Sequence, residues 1–527
     1  MPITKLFGGV LQLLLVVQVS SATYFISTGG DDANPGTSTE KPWKTLGRLE
    51  QVKLVSGDRI LLAGGQTFQG RVQIIAEKAE SPLESIEVSS FGNGRPTIAA
   101  GVETAIRILN VEQLTIRNLV LAGAGPTNNL GSGILVENSR TNQMLKGVLI
   151  DAVEASGFGQ HGILVTGQSW GYEDVLIQRC SLSRNRKGGL EVAGKLPWDS
   201  TQYAHKNVII SECRAFENPG DPNYTQNHSG SGIVLYQVDG GRIEKSAAWN
   251  NGELCPAAGG GPVGIWTCAS RHVVIEYCES FSNRTQGLDG GGFDIDGGSE
   301  SCILQYNYSH DNEGPGLMVY TYPYASNRDR RNIVRFNISV NDAVDSERYG
   351  GLWVRADGKK MEGLDIYNNT VITRGPHAAY VHADGIEISL RNNIFISSAA
   401  GVPLRVDALN QLSGFKLDHN VFWRSGGAPL LRMTGQNVTN PAELSALLGA
   451  GGTSTAGLFL NPEISHDSTQ NLEPLPNLRV LNQFKPKTKF AGITSAPIPD
   501  LSHDILGASI RAAESLVGAV AATGQSN

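Results

Sequence analysis

The chain has 527 residues, 18% of them charged and 40% hydrophobic, with a formal net charge of −7. That composition excludes an intrinsically disordered chain, offers no overall basic surface for nucleic acid, and is long enough for a large core. Glycine, at 63 residues, suits frequent tight turns better than long helices.

The first element is "MPITKLFGGVLQLLLVVQVSSA", in which Lys5 precedes the apolar run Leu6–Val19 and Ser20-Ser21-Ala22 offers small residues for cleavage. It predicts a signal peptide over 1–22 and a secreted protein, extracellular or periplasmic. The run is shorter than the roughly 20 residues that a membrane span needs. Residues 23–100 are predicted to form an N-terminal cap and the first coils. Within them "PWKTLGRLEQVKLVSGDRILLAGGQTF" (42–68) reads as a short amphipathic helix followed by strands.

From 101 to 425 the chain repeats itself. The segments "VLIQRCSLSRNRKGGLEV", "VVIEYCESFSNRTQGLDGGGFDI", "CILQYNYSHDNEGPGLMV" and "NIVRFNISVNDAVDSERYGGLWV" share one plan. Each has an apolar strand, a Cys or Asn, a short strand, an Asn-containing turn, then a glycine-led alternating strand. Cys180, Cys213, Ala247, Cys278, Asn307, Asn337 and Asn368 mark the repeat, and a fixed period of about 30 residues signals a solenoid. Strands without helical periodicity between them predict an all-β, right-handed parallel β-helix. The turn residues Asn185, Asn218, Asn251, Asn283, Asn312 and Asn341 predict a hydrogen-bonded ladder of side chains along the stack. Asn283, Asn307 and Asn337 also lie in N-x-S/T sequons but read as structural. The six cysteines, Cys180, Cys213, Cys255, Cys268, Cys278 and Cys302, lack metal-site spacing; stacked thiols and disulfides both remain open. Residues 426–527 are predicted to cap the last coil. They contain the helix "NPAELSALLGAGG", with Asn440 as N-cap, Pro441 at N1, Glu443 at N3 and Gly449 as stop.

The glycine-led strands can be laid over one another: "GILV" (162), "GLEV" (189), "GIVLY" (232), "GIWTC" (264), "GFDID" (292), "GLMVY" (316), "GLWVR" (351), "AAYVH" (378) and "GVPLR" (401). Second and fourth letters are apolar and face the core, so third and fifth letters face outward. The third column reads Leu164, Glu191, Val234, Trp266, Asp294, Met318, Trp353, Tyr380, Pro403. The fifth reads Tyr236, Cys268, Asp296, Tyr320, Arg355, His382, Arg405, with Tyr322 two residues beyond Tyr320. Successive coils lie about 4.8 Å apart. Asp294 and Asp296 therefore fall on one solvent-facing wall amid Trp266, Tyr236, Tyr320, Tyr322, Trp353 and Tyr380. Sugar rings stack on aromatic faces, and their hydroxyls take charged partners such as Glu191, Arg355, His382 and Arg405.

Paired carboxylates of this kind suit glycoside hydrolysis, with Asp296 as acid and Asp294 as base. Asp311 is a further carboxylate and His310 a neighbouring candidate, whereas His161 and His272 read as structural. Positions i and i+2 of a strand start about 6.6 Å apart, which favours an inverting mechanism. The alternatives are a Ca²⁺-dependent lyase acting on a uronate polymer and a non-catalytic glycan-binding solenoid. In the lyase, Asp294, Asp296 and Asp289 would hold the ion, and Arg355, Lys359 or Lys360 would serve as base. Hydrolysis itself calls for no cofactor. The expected partner is a polysaccharide met by a monomer, with no nucleic acid and, once the leader is cut, no membrane.

"YFISTGGDDANPGTSTEKPWKTL" (24–46) resembles the opening motif of secreted right-handed parallel β-helix proteins, the pectate-lyase-like superfamily. "GGFDIDGGSESCILQYNYSHDNEGPG" (291–316) resembles a stretch found in one branch of that group. The resemblance covers most of the mature chain and implies carbohydrate polymers as substrates. The NTD…DD…GHG…RIK series of polygalacturonases and the Asp-Pro-His triplet of alginate epimerases are missing. The i,i+2 acidic pair of chondroitinase-B-like lyases resembles Asp294/Asp296, but the Lys that follows it there is not found.

Overall fold

The computed structural model describes residues 20–76, 82–197, 200–325, 329–357, 361–383, 385–386, 388–407, 415–426, 430–448, 503 and 518–519. Most of the predicted leader, most of the C-terminal cap, and Lys359 and Lys360 lie outside them. The chain winds into a right-handed parallel β-helix. One wall is a sheet of fourteen strands running from Val72–Ile75 through Gly188–Gly194, Val263–Cys268, Gly291–Ile295 and Leu352–Ala356 to Gln436–Val438. Its pairings are parallel until the last, which is antiparallel and turns the chain back at Leu431–Met433. A second, larger sheet of twenty-five described strands forms the remaining walls. A 3-10 helix at Leu46–Gln51 buries Leu46 and Leu49 against the first coils, as the 42–68 pattern predicts. The C-terminal helix spans Pro441–Leu448, with the Glu443 amide donating to Asn440 Oδ1 at 3.0 Å and the Thr439 amide donating to the Glu443 carboxylate at 2.7 Å.

One apolar column runs through the solenoid, because each strand sends alternate side chains inward onto the strand below. Two asparagine ladders hold the corners. In one, the side-chain amides of Asn185, Asn218, Asn251, Asn283 and Asn312 each donate to the next coil at 2.8–3.3 Å, ending on Asp342. In the other, Asn307, Asn337, Asn369 and Asn393 do the same, ending on Asn420, at 2.9–3.0 Å. Three repeat assignments shift by one residue: the ladder takes Asp342 rather than Asn341, Asn369 rather than Asn368, and Ser246 rather than Ala247. Asn341, Asn368 and Lys245, just before them, have φ of 53°, 54° and 49°. That left-handed residue makes the corner, and the residue after it points inward. Asn283, Asn307 and Asn337 are fully buried, in keeping with the structural reading of those sequons. All six cysteines are buried free thiols. Those of the repeat sit at ladder corners, where Cys213 Sγ donates to the Ser211 carbonyl at 3.4 Å and Cys278 Sγ to that of Glu276 at 3.2 Å.

Asn251→Ala removes donors to the Ala215 carbonyl and Asn283, both at 3.0 Å, and strips the acceptor from the Asn218 amide. It should lower stability by about 2–3 kcal/mol, since buried polar groups lose their partners. A shift of the urea unfolding midpoint checks this, and an unchanged midpoint would contradict it.

Candidate functional site

The backbone register sets one outward column: Glu191 pairs with Val234, Val234 with Trp266, Trp266 with Asp294, Asp294 with Met318, Met318 with Trp353, and Trp353 with Tyr380. That matches the order read from the sequence. The last coil does not, because Tyr380 pairs with Arg405 and His382 with Asp407. Arg405 therefore belongs two residues earlier in the pattern, with its guanidinium 4.5 Å from the Tyr380 ring.

The expected open, solvent-facing strip is instead a walled pocket. Asp294 points away from the solenoid core yet is only 2% exposed. Segments between consecutive coils rise over the sheet: Asn227 and His228 from one, Gly259, Gly260 and Gly261 from the next, Tyr322 and Tyr324 from another. They enclose a cavity of about 310 Å³ together with Glu191, Tyr236, Trp266, Cys268, Asp289, Asp294, Asp296 and Tyr320. Among the described residues no lysine or arginine lines it.

The glycines of "GGGFDIDGG" make this geometry possible. Gly290 and Gly298 have φ of 71° and 78°, which few other residues tolerate. A Cβ on Gly297 would lie 2.8 Å from the Tyr322 ring. That close approach brings Tyr322 Oη to 3.5 Å from Asp296 Oδ2 and 3.3 Å from Cys268 Sγ. A Cβ on Gly261 would lie 1.5 Å from the Leu288 carbonyl, and the bare amide there donates to Asp289 Oδ2 at 2.6 Å.

Three aspartates share this pocket with Glu191. Asp289 and Asp296 are half-buried and reach its surface, whereas Asp294 lies behind them with Oδ1 lacking any hydrogen-bond partner. Burial pushes Asp294 well above the usual carboxylate range, and the charges of Asp296 and Asp289 add to that. Burial raises Asp296 to about 7, against the Gly297 amide that donates to it at 2.7 Å. Burial also raises Asp289, opposed by the Gly261 amide and the Tyr349 hydroxyl. Like charges in a dry site cannot all ionise, so the cluster holds shared protons near neutrality.

Other expected site residues lie elsewhere. His310 ends a strand of the other large sheet and Asp311 forms the bend after it; there His310 bonds Asp311 at 2.9 Å and Glu279 at 3.3 Å and stacks on Phe281. Those carboxylates outweigh burial and raise His310 to about 9. Trp353 is 2% exposed, buried against Tyr320 and Tyr349. Arg355 is paired with Asp357 at 2.8 Å, and Tyr380 donates to Asp407 at 3.2 Å. Trp353, Arg355, Tyr380, His382 and Arg405 do not line the pocket. Conversely His161, read as structural, pairs with Glu191 at 2.9 Å. His228 and Tyr324 were missed because they lie in inter-coil segments outside the aligned strands. Among the described residues no group of three or more His, Cys, Asp or Glu is arranged to hold a metal ion, Asp289, Asp294 and Asp296 included. Nor among them is any helix long and apolar enough to cross a membrane.

With this geometry in view, residues 104–333 match the family model described as a right handed beta helix region. The chain is similar to a lacto-N-biosidase of Bifidobacterium longum subsp. longum, 24% identical over 538 residues, covering 83% of this chain and 33% of that protein. The chain thus spans about a third of the length of the curated relative it matches. It also resembles the crystal structure of a GH136 lacto-N-biosidase from Eubacterium ramulus, with a TM-score of 0.51 and 19% identity, over 75% of this chain and 68% of that one.

Two expectations follow from the site. Gly297→Ala should displace the Tyr322 ring and lower kcat/KM for any substrate of the pocket by about tenfold or more, with little loss of thermal stability; unchanged kinetics would contradict the packing argument. Asp296 has a folded pKa of about 7 against an ordinary 3.8, so its contribution to stability is complete below about pH 4 and is lost as pH rises through 7. The melting temperature of Asp296→Asn should therefore gain on that of the wild type as pH rises from 4 to 8. A difference that stays constant with pH would contradict this.

Proposed function

We propose that the chain is a glycoside hydrolase whose acid–base machinery is the aspartate cluster. The observation that carries this reading is the convergence of Asp289, Asp294 and Asp296 on one aromatic-lined pocket. Hydrolysis of a glycosidic bond needs a protonated carboxylic acid beside an ionised carboxylate, and a shared-proton cluster supplies both near neutral pH. Asp289 and Asp296, which reach the pocket surface, divide these two roles, and Asp296 carries the proton in the resting enzyme. Asp294 holds the proton balance from behind. The i,i+2 spacing that favoured inversion no longer measures the distance between the working groups, so no anomeric outcome is drawn from it.

Similarity to lacto-N-biosidases supports the hydrolase over the lyase. The uronate lyase would need a strong base beside the sugar, and among the described residues no Lys or Arg lines the pocket. The cavity suits the end of a glycan better than a length of polymer passing through. Tyr324, 62% exposed and stacked on Tyr322 at 4.5 Å, offers a ring face at the mouth for the next sugar. The apolar leader supports action outside the cytoplasm.

Reducing-sugar release from a panel of oligosaccharides and 4-nitrophenyl glycosides tests the reading. Asp289→Asn and Asp296→Asn should each lower kcat/KM about 10²–10⁴-fold. Products should show no near-ultraviolet absorbance from an unsaturated sugar, and activity should persist with a chelator. Full activity in both variants, or an unsaturated product, would overturn it.

A further inference from the structure

The pocket has a second end. Along the column Glu191–Val234–Trp266–Asp294 each coil adds about 4.8 Å, so Glu191 stands about 14 Å from Asp294. Glu191 Oε2 lies 2.9 Å from His161 Nε2. His228 lies edge-on to Trp266, with ring centroids 4.8 Å apart; burial lowers its own pKa, so it aids Glu191 less than His161 does. Lys187 adds a weaker positive field, its ammonium seated over the Tyr224 ring at 3.4 Å. Burial alone would protonate Glu191, but these groups outweigh it and hold the carboxyl at about 2. It is therefore ionised at any working pH.

Two buried polar atoms of the same pocket lack partners: Trp266 Nε1, on a side chain 6% exposed, and Asp294 Oδ1, on one 2% exposed. Buried polar groups are nearly always paired, so an unpaired donor and an unpaired acceptor in one cavity mark positions for ligand atoms. A sugar hydroxyl can donate to a carboxylate and accept from an indole N–H. A carboxylate or sulfate on the sugar would meet Glu191 and the aspartates, and among the described residues no Lys or Arg lines the pocket to offset them.

We infer that Glu191, positioned by His161, is a specificity-determining residue that anchors hydroxyls of the bound sugar at the end remote from the aspartates and turns away acidic sugars. The inference rests on the pocket being a sugar site, the reading proposed above.

Isothermal titration of the full chain with matched probes tests it: galactose against galacturonate, glucose against glucuronate, mannose against mannuronate. The wild type should bind at least one neutral member at least tenfold more tightly than its uronate. Glu191→Gln keeps the shape and removes the charge, and should bring that ratio to threefold or less. Glu191→Ala should weaken the neutral sugar tenfold or more. Unfolding of Glu191→Gln at the wild-type temperature would show that the fold is intact. Equal or tighter binding of the uronate by the wild type, an unchanged ratio in Glu191→Gln, or no binding of any probe would overturn the anchor. A ratio unmoved by Glu191→Gln while Asp296→Asn abolishes hydrolysis would sink the anchor and leave the hydrolase. A collapsed ratio with hydrolysis intact in Asp296→Asn would do the reverse.

Discussion

The hydrogen-bonded register between coils is the constraint on which the rest of the molecule depends. Parallel pairing brings residues some thirty positions apart in sequence to about 4.8 Å in space. The asparagine ladders then lock that register from inside. A ladder side chain has one donor pair and one acceptor, and both find partners only when neighbouring coils are aligned. A slip of one residue would turn every outward side chain inward, so the core and the ladders together fix which residues meet on the outer wall. Trp266, Asp294 and Met318 are neighbours for that reason alone.

The same register makes the site expensive. It holds Asp294 and Asp296, two residues apart on one coil, against the outer wall, and the segments between coils then roof them over, so several carboxylates lose water together. The fold tolerates this because the core and ladders continue for many coils on either side. What results is a group of acids that keep protons at a pH where a solvated aspartate has lost its own. The far end of the pocket shows the opposite solution, in which Glu191 keeps its charge chiefly through its pairing with His161. One cavity therefore holds carboxyl groups set for proton transfer and a carboxylate set for binding.

Much of this was legible in the sequence, and the gaps have physical causes. Period-two alternation after a leading glycine gave the outward column from Glu191 to Tyr380, because the glycine marks a corner too tight for a side chain. At Gly292 a Cβ would lie 2.3 Å from Ser309 Oγ and 2.9 Å from the Gly316 carbonyl. The rule failed at Gly401, where Val402 pairs with His377 and the corner position falls two residues further on, displacing Arg405. It slipped by one at Asn341-Asp342 and Asn368-Asn369, where two adjacent polar residues compete and only the backbone angle tells which turns inward. The roof was invisible to strand alignment. His228, Gly261 and Tyr324 come from segments with no periodicity, and their contribution depends on how those segments fold over the sheet. Asp289 was noticed only as a possible calcium ligand, since it precedes the strand instead of lying within it.

The central claim is that crowding and burial keep the aspartate cluster protonated near neutral pH. Carboxyl-carbon NMR of the chain labelled at aspartate side chains, followed from pH 3 to 9, tests it most directly. The account predicts an aspartate signal titrating close to pH 7 that disappears in Asp296→Asn, with further cluster signals titrating above the usual carboxylate range. If every aspartate in the folded chain titrates below about pH 5, the cluster is ordinary solvated acid and the acid–base site does not exist.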